Sequence, residues 1–235
     1  MASNTLKKIF RIYLLLLTGL PLYVHAQTLS GMSGLLNIPS AEMQADGTFI
    51  VGGNYLPAVN QPTLGYNTGN YYLNLTLLPF FEVSYRATVL KMSNGYTNQD
   101  RSVSFKIQLL KEHQYLPAVT VGASDFLTHV AGGVAEYFEQ NYFVLTKHFQ
   151  IRQTDIGITT GYGTDLILKK SRFIGLFGGV AITPAFCKQL KIIGDFDCKG
   201  TNLGGSLLII KHVYLFSMAE HLKYIAGGLA YRVYL

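Results

Sequence analysis

Residues 102–109 read SVSFKIQL. Val103, Phe105, Ile107 and Leu109 alternate with Ser102, Ser104, Lys106 and Gln108, the two-residue period of a strand with one apolar and one polar face. The pattern recurs on either side. In FEVSYRATV (81–89), Phe81, Val83, Tyr85, Ala87 and Val89 alternate with Glu82, Ser84, Arg86 and Thr88. In residues 155–162, Ile156, Ile158 and Tyr162 stand against Asp155, Gly157, Thr159 and Gly161. Towards the end, Ile225, Leu229, Tyr231, Val233 and Leu235 stand against Ala226, Gly228, Ala230 and Arg232.

Alternation alone also fits a soluble sandwich with its polar face outward. Composition decides between the two. The 235 residues are 49% hydrophobic but only 14% charged, below the quarter or so usual in soluble domains. The polar positions are rich in Gly, Ser and Thr, turn signals recur along the chain, and the most apolar later stretch, FIGLFGGVAITPAF (173–186), is broken by Gly175, Gly178, Gly179 and Pro184. No helix-length apolar segment follows residue 26, and lipid admits only helices and closed barrels. The expected fold is all-β: a transmembrane antiparallel up-and-down barrel of about twelve strands.

The N-terminus reads as a targeting segment. Lys7, Lys8 and Arg11 precede an apolar run, Ile12–Leu22, and Val24-His25-Ala26 forms a small-residue cleavage site before Gln27. The run of about eleven residues is too short for a spanning helix, which needs about twenty. The expected organisation is a signal peptide at 1–26, a periplasmic lead-in at 27–47 and a barrel at 48–235, placed in the bacterial outer membrane after Sec export. The formal charge of +6 falls to +3 without the three leader cations, so no nucleic-acid partner is expected. Outer-membrane lipid is the expected surrounding.

Strands are expected near 48–57, 70–78, 81–92, 101–110, 115–124, 137–148, 154–163, 173–183, 188–197, 202–211, 213–220 and 223–235. Short turns alternate with longer connections, and an even count brings both ends of the wall to one rim. Cys187 and Cys198 would lie at opposite ends of one strand, about 36 Å apart, so no disulfide is expected between them.

The inward polar set, Glu82, Arg86, Lys106, Asp155, Lys191, Asp195 and Arg232, forms the candidate lumen lining. Similar numbers of both signs favour a closing ionic network slightly over a pore. Asp125, Glu136 and Tyr137 flank the longest expected internal loop, 125–136. They suit either a carbohydrate-facing role or strand capping, with capping favoured. His113, His129, His148, His212 and His221 lie in no nucleophile motif, and the His and Cys show no ligand spacing. No catalytic, cofactor-binding or metal-binding residue is expected, and no cofactor.

The segment GMSGLLNIPSAEMQADG (31–47) resembles the opening of the YjbH family of exopolysaccharide-associated outer-membrane proteins, which tend to begin Gly-Leu-x-x-x-Pro-[Ser/Thr]-Ala and continue to Asp-Gly. Similar pieces follow in order: Asp100-Arg101-Ser102, Lys106, Pro117-Ala118-Val119, Gly122-Ala123-Ser124-Asp125, Glu136-Tyr137, Phe177-Gly178-Gly179-Val180 and Asp195-Phe196-Asp197. The chain departs after Asp125, where Leu127-Thr128-His129 replaces an expected Gly-Thr-Gly. The resemblance implies a non-enzymatic barrel associated with exopolysaccharide or capsule production or export, acting as conduit, partner or structural element. Implied partners are polysaccharide, periplasmic export components and a second barrel. A generic small porin or adhesin-like barrel is the alternative, followed by a lipid-modifying hydrolase.

Overall fold

The structure is a computed structural model, and it describes residues 26–58, 65–91, 95, 97–129, 138–167 and 173–235. Twelve strands follow in chain order: β1 Thr48–Leu56, β2 Thr68–Thr76, β3 Phe81–Lys91, β4 Thr97–Leu110, β5 Ala118–His129, β6 Gln140–Ile151, β7 Thr154–Thr164, β8 Gly175–Thr183, β9 Leu190–Phe196, β10 Thr201–Ile210, β11 Val213–Glu220 and β12 Tyr224–Tyr234. Each pairs antiparallel with its sequence neighbours, and β1 pairs with β12 from Thr48 opposite Tyr234 to Tyr55 opposite Gly227. No edge is left, so every strand finds hydrogen-bond partners within the wall. No helix among the described residues is long and apolar enough to cross a membrane.

Burial runs opposite to that of a soluble sandwich. Along β3, Glu82, Ser84, Arg86 and Thr88 are buried while Tyr85 is exposed. Leu109, Leu176 and Ile225 stand 61–72% exposed on the outer wall, whereas Lys106 inside is fully buried. Such a surface is stable only against an apolar solvent, the arrangement of a membrane barrel.

The strands fall close to their expected places, except at β4 and β5. β5 continues to His129, so Asp125 belongs to the wall rather than to a loop. There the pairing with β4 slips between Val103 and Phe105, and Asp125 takes φ 52. Ser104 there faces Ser124, Asp125 and Phe126, and the two extra residues of this bulge let Asp125 point inward. The alternation count stopped at the bulge because the two-residue period breaks there.

One rim carries connections 77–80, 111–117, 152–153, 184–189 and 211–212; it is called here the turn rim. The opposite, loop rim is the one at which β1 ends and β2 begins, and likewise β3 and β4, β5 and β6, β7 and β8, β9 and β10, and β11 and β12. Both ends of the wall, Thr48 and Tyr234, meet at the turn rim. The β6–β7 connection holds Arg152 and Gln153 at φ 48 and 74, matching the two positive φ values of a tight hairpin turn.

Cys187 and Cys198 are both free and flank β9. Burial, with Asp197 beside it, pushes the Cys198 thiol above its usual value. Denatured, unreduced protein is therefore expected to take up maleimide at both cysteines, measured by mass. Recovery of a Cys187–Cys198 bridge would mean that β9 does not separate them as described.

Candidate functional site

The lumen is filled by the chain itself. Residues 26–41 are all buried, although none belongs to the wall. They fold into three short runs joined by two reversals. Thr28 N–H donates to Met32 O (2.9 Å) and Gly31 N–H to Thr28 O (2.9 Å), with Gly31 at φ 84. Leu35 N–H donates to Ile38 O (2.9 Å), and isolated bridges join Gln27 to Ser33 and Gly34 to Pro39. The expected periplasmic lead-in over 27–47 is thus, for most of its length, an internal plug. The expected leader, apart from Ala26, lies outside the described residues.

So short a fold cannot satisfy its own backbone, and wall side chains supply what is missing. Leu29 O accepts from the amides of Asn54 on β1 and Asn70 on β2, each at 2.9 Å, and Gly31 O accepts from Asn74 on β2 (2.9 Å). Ser33 N–H donates to Glu82 on β3 (2.7 Å). Across the lumen, Leu36 and Asn37 N–H both donate to Asp195 Oδ2 on β9 (2.9 Å each). Ala41 N–H donates to Thr146 on β6, while Ala41 O accepts from Gln108 on β4, both at 2.9 Å. Lys106 Nζ donates to Ser33 O (3.0 Å) and Glu42 O (2.8 Å) and pairs with Glu82 at 3.1 Å.

Apolar packing uses the gaps between these anchors. Leu29, Leu35, Leu36, Ile38 and Ala41 share one buried cluster with the inward Tyr72, Phe177, Ile193 and Phe216. Gly179 makes room for Leu35: a Cβ there would stand 2.6 Å from Leu35 Cδ1.

The candidate lining residues divide by task. Glu82, Lys106 and Asp195 grip the plug backbone. Lys191 Nζ lies 3.2 Å from the Glu42 carboxylate, and Arg232 donates to Gln44 Oε1 (3.2 Å). Asp155 is only half-buried at the turn rim, 3.9 Å from His148 Nε2. Arg86 braces the wall rather than the plug. It pairs with Asp125 (2.7 Å), lies 3.5 Å from Asp100, bonds Ser102 (3.0 Å) and stacks 4.4 Å from the Phe138 ring centroid. Asp125 also accepts from Phe138 N–H (3.2 Å), so the loop-facing residue of the sequence is a buried anchor for the returning chain. Glu136 and Tyr137 lie outside the described residues.

A turn-rim clasp was missed in the sequence. His148 Nδ1 contacts Glu112 Oε2 (2.8 Å) and Nε2 contacts Glu42 Oε1 (3.0 Å), tying the β4–β5 connection and the plug to β6. Gly157 leaves space for that ring, since a Cβ there would meet Nε2 at 2.8 Å. Partial burial would raise the Glu112 carboxyl, but hydrogen bonds from His148 and Lys147 outweigh it and hold it below the usual carboxylate value.

A family model described as "Exopolysaccharide biosynthesis protein YbjH" matches residues 26–205, well over half of the chain. The chain belongs to the YjbH family. The matched region opens at the plug, and the Gly34–Ala41 block that resembles the start of YjbH proteins is the part that spans the lumen from Asp195 to Thr146. Lys106 and Asp195, in two of the other similar pieces, are among its anchors. Among solved structures, the chain is similar to the Acinetobacter baumannii outer membrane protein Omp33, at 10% identity over 82% of this chain and 100% of that one, TM-score 0.43. It is also similar to the Salmonella typhi outer membrane phospholipase (OMPLA) dimer with bound calcium, at 11% identity over 82% of this chain and 94% of that one, TM-score 0.34. No curated protein matches.

Two outcomes test this site. Lys106→Ala leaves Glu82 buried without its cation, and a loss of about 3–5 kcal/mol is expected in unfolding by urea in micelles. Pairing it with Glu82→Gln should restore part of that loss. Glu112, with its folded value lowered, stabilises fully above about pH 4.5 and loses that contribution as pH falls through the lowered value. Glu112→Gln should therefore flatten the stability profile below pH 4.5, as measured by thermal unfolding against pH.

Proposed function

We propose that this barrel lies in the bacterial outer membrane and serves exopolysaccharide or capsule production or export without catalysing a reaction. It works as a closed partner or structural element of the export apparatus, meeting periplasmic components, polysaccharide or a second barrel at its rims. Sec export and removal of the N-terminal leader precede its insertion. Membership of the YjbH family supports the polysaccharide role, and the apolar outer wall supports the membrane.

The single observation that carries the closed state is the plug, bonded to β1, β2, β3, β4, β6 and β9 around the lumen. An open porin needs a water-filled bore, and here the bore holds a packed apolar cluster. A hydrolase needs a histidine aimed at a nucleophilic hydroxyl. Instead, His148 is clasped by two carboxylates and His212 Nδ1 lies 2.7 Å from Arg232 O.

The purified barrel is expected to show no steady conductance in planar bilayers, and deletion of residues 27–44 should open a channel. In cells, loss of the chain should lower surface exopolysaccharide. Steady conductance of the intact barrel would overturn the closed state; unchanged exopolysaccharide would overturn the polysaccharide role.

A further inference from the structure

At the loop rim, three side chains converge that play no part in the plug-gripping set expected from sequence. Asp197 opens the β9–β10 connection, Glu220 ends β11, and His221 opens the β11–β12 connection. β10 pairs with both β9 and β11, and this brings together residues more than twenty positions apart. One ligand atom from each lies within 4.8 Å of the others. We propose that Asp197, Glu220 and His221 bind a divalent first-row transition-metal ion, with zinc as the representative.

Several observations support a built site. Asp197 and Glu220 are fully buried, which is costly for two neighbouring carboxylates unless positive charge or strong donors face them. His221 is placed by its own backbone: its N–H donates to Asn202 Oδ1 (2.8 Å), and its φ of 50 turns the residue off the strand. Gly200 clears the space for the ring, since a Cβ there would stand 2.4 Å from His221 Cδ2. His221 Nε2 is shielded from water and makes no hydrogen bond, yet it lies 3.5 Å from Asp197 Oδ2. A shielded ring nitrogen without a bond calls for an explanation, and an ion is one.

Distance and donor type select the metal. Zinc bonds of about 2.0–2.2 Å in a tetrahedron set neighbouring ligand atoms roughly 3.3–3.6 Å apart. The Nε2–Oδ2 separation already falls there, and the limit of 4.8 Å leaves only a small closure for the rest. Calcium prefers six to eight oxygens, whereas an imidazole beside two carboxylates suits zinc and its neighbours. The His221 side chain is 26% exposed, so the three ligand atoms lie just beneath the rim surface.

The plug shares this site. Asn37 Nδ2 donates to Asp197 Oδ2 (2.7 Å) and Glu220 Oε1 (3.0 Å), so a neutral amide already presents positive hydrogens to the two carboxylates. A metal ion satisfies the same oxygens more strongly and links the 197–200 and 221–223 connections. Its uptake competes with one hold on the plug.

The test is calorimetric titration of the full refolded barrel in detergent, without an affinity tag, with zinc chloride at neutral pH. Saturable uptake of one ion per chain is expected. His221→Ala and Asp197→Asn should each weaken it by about tenfold or more, while His212→Ala leaves it unchanged. No saturable uptake, or equal uptake by the His221→Ala protein, would overturn the site. Should Asp197→Asn fail to fold, as judged by heat-modifiable gel mobility, the half-exposed His221 variant decides alone.

Discussion

Every backbone amide and carbonyl enclosed by the barrel must find a partner, and the lumen contains a stretch of chain that cannot supply its own. That constraint organises the inner face. Asparagines on β1 and β2 reach plug carbonyls, and carboxylates on β3 and β9 take plug amides from opposite sides. Lys106 faces three carbonyls, those of Ser33, Ser40 and Glu42, and one carboxylate. Remove the plug, and these groups would face one another across a void. Remove the wall groups, and the plug would have no stable path across the lumen.

The outer face answers a different solvent. Side chains alternate, so each strand supplies both faces from adjacent residues: Tyr85 outside, Arg86 inside. Charges concentrate where the plug or the rims can use them. Arg86 with Asp125 and Asp100 braces the wall near the loop rim, while His148 with Glu42 and Glu112 closes the turn rim. Ion pairs of this kind contribute little net stability when buried and a large penalty when broken. Their value here lies in fixing where the plug sits, through which the loop-rim carboxylates Asp197 and Glu220 also meet Asn37.

Much of this was legible in the residues. Period-2 alternation and turn signals placed twelve strands close to their observed positions, because an inward-outward wall must write that period into its sequence. The inward identities of Glu82, Arg86, Lys106, Lys191, Asp195 and Arg232 followed from the same count. It stopped at Asp125, where a bulge breaks the period. Glu42, His148 and Glu112 gave no signal, since they lie 36 or more residues apart and meet only once the strands pair and the plug is seated. Asp197 and Glu220 were hidden for the same reason. The one available hint to the plug was an inner face rich in asparagines and paired charges, more donors and acceptors than wall-to-wall contacts would use.

By itself, the sequence determined the wall: alternation, low charge and absence of a later helix-length apolar run leave a closed barrel in lipid as the consistent solution. It also separated the two cysteines, because one extended strand lies between them. Only the tertiary structure decided what fills the wall. Residues 26–41 carry no periodicity, since a segment held by long-range side-chain bonds needs no local pattern of its own. Its place inside the lumen is set by Asn54, Asn70, Glu82, Lys106, Thr146 and Asp195, which are scattered along the chain and become neighbours when β1 meets β12.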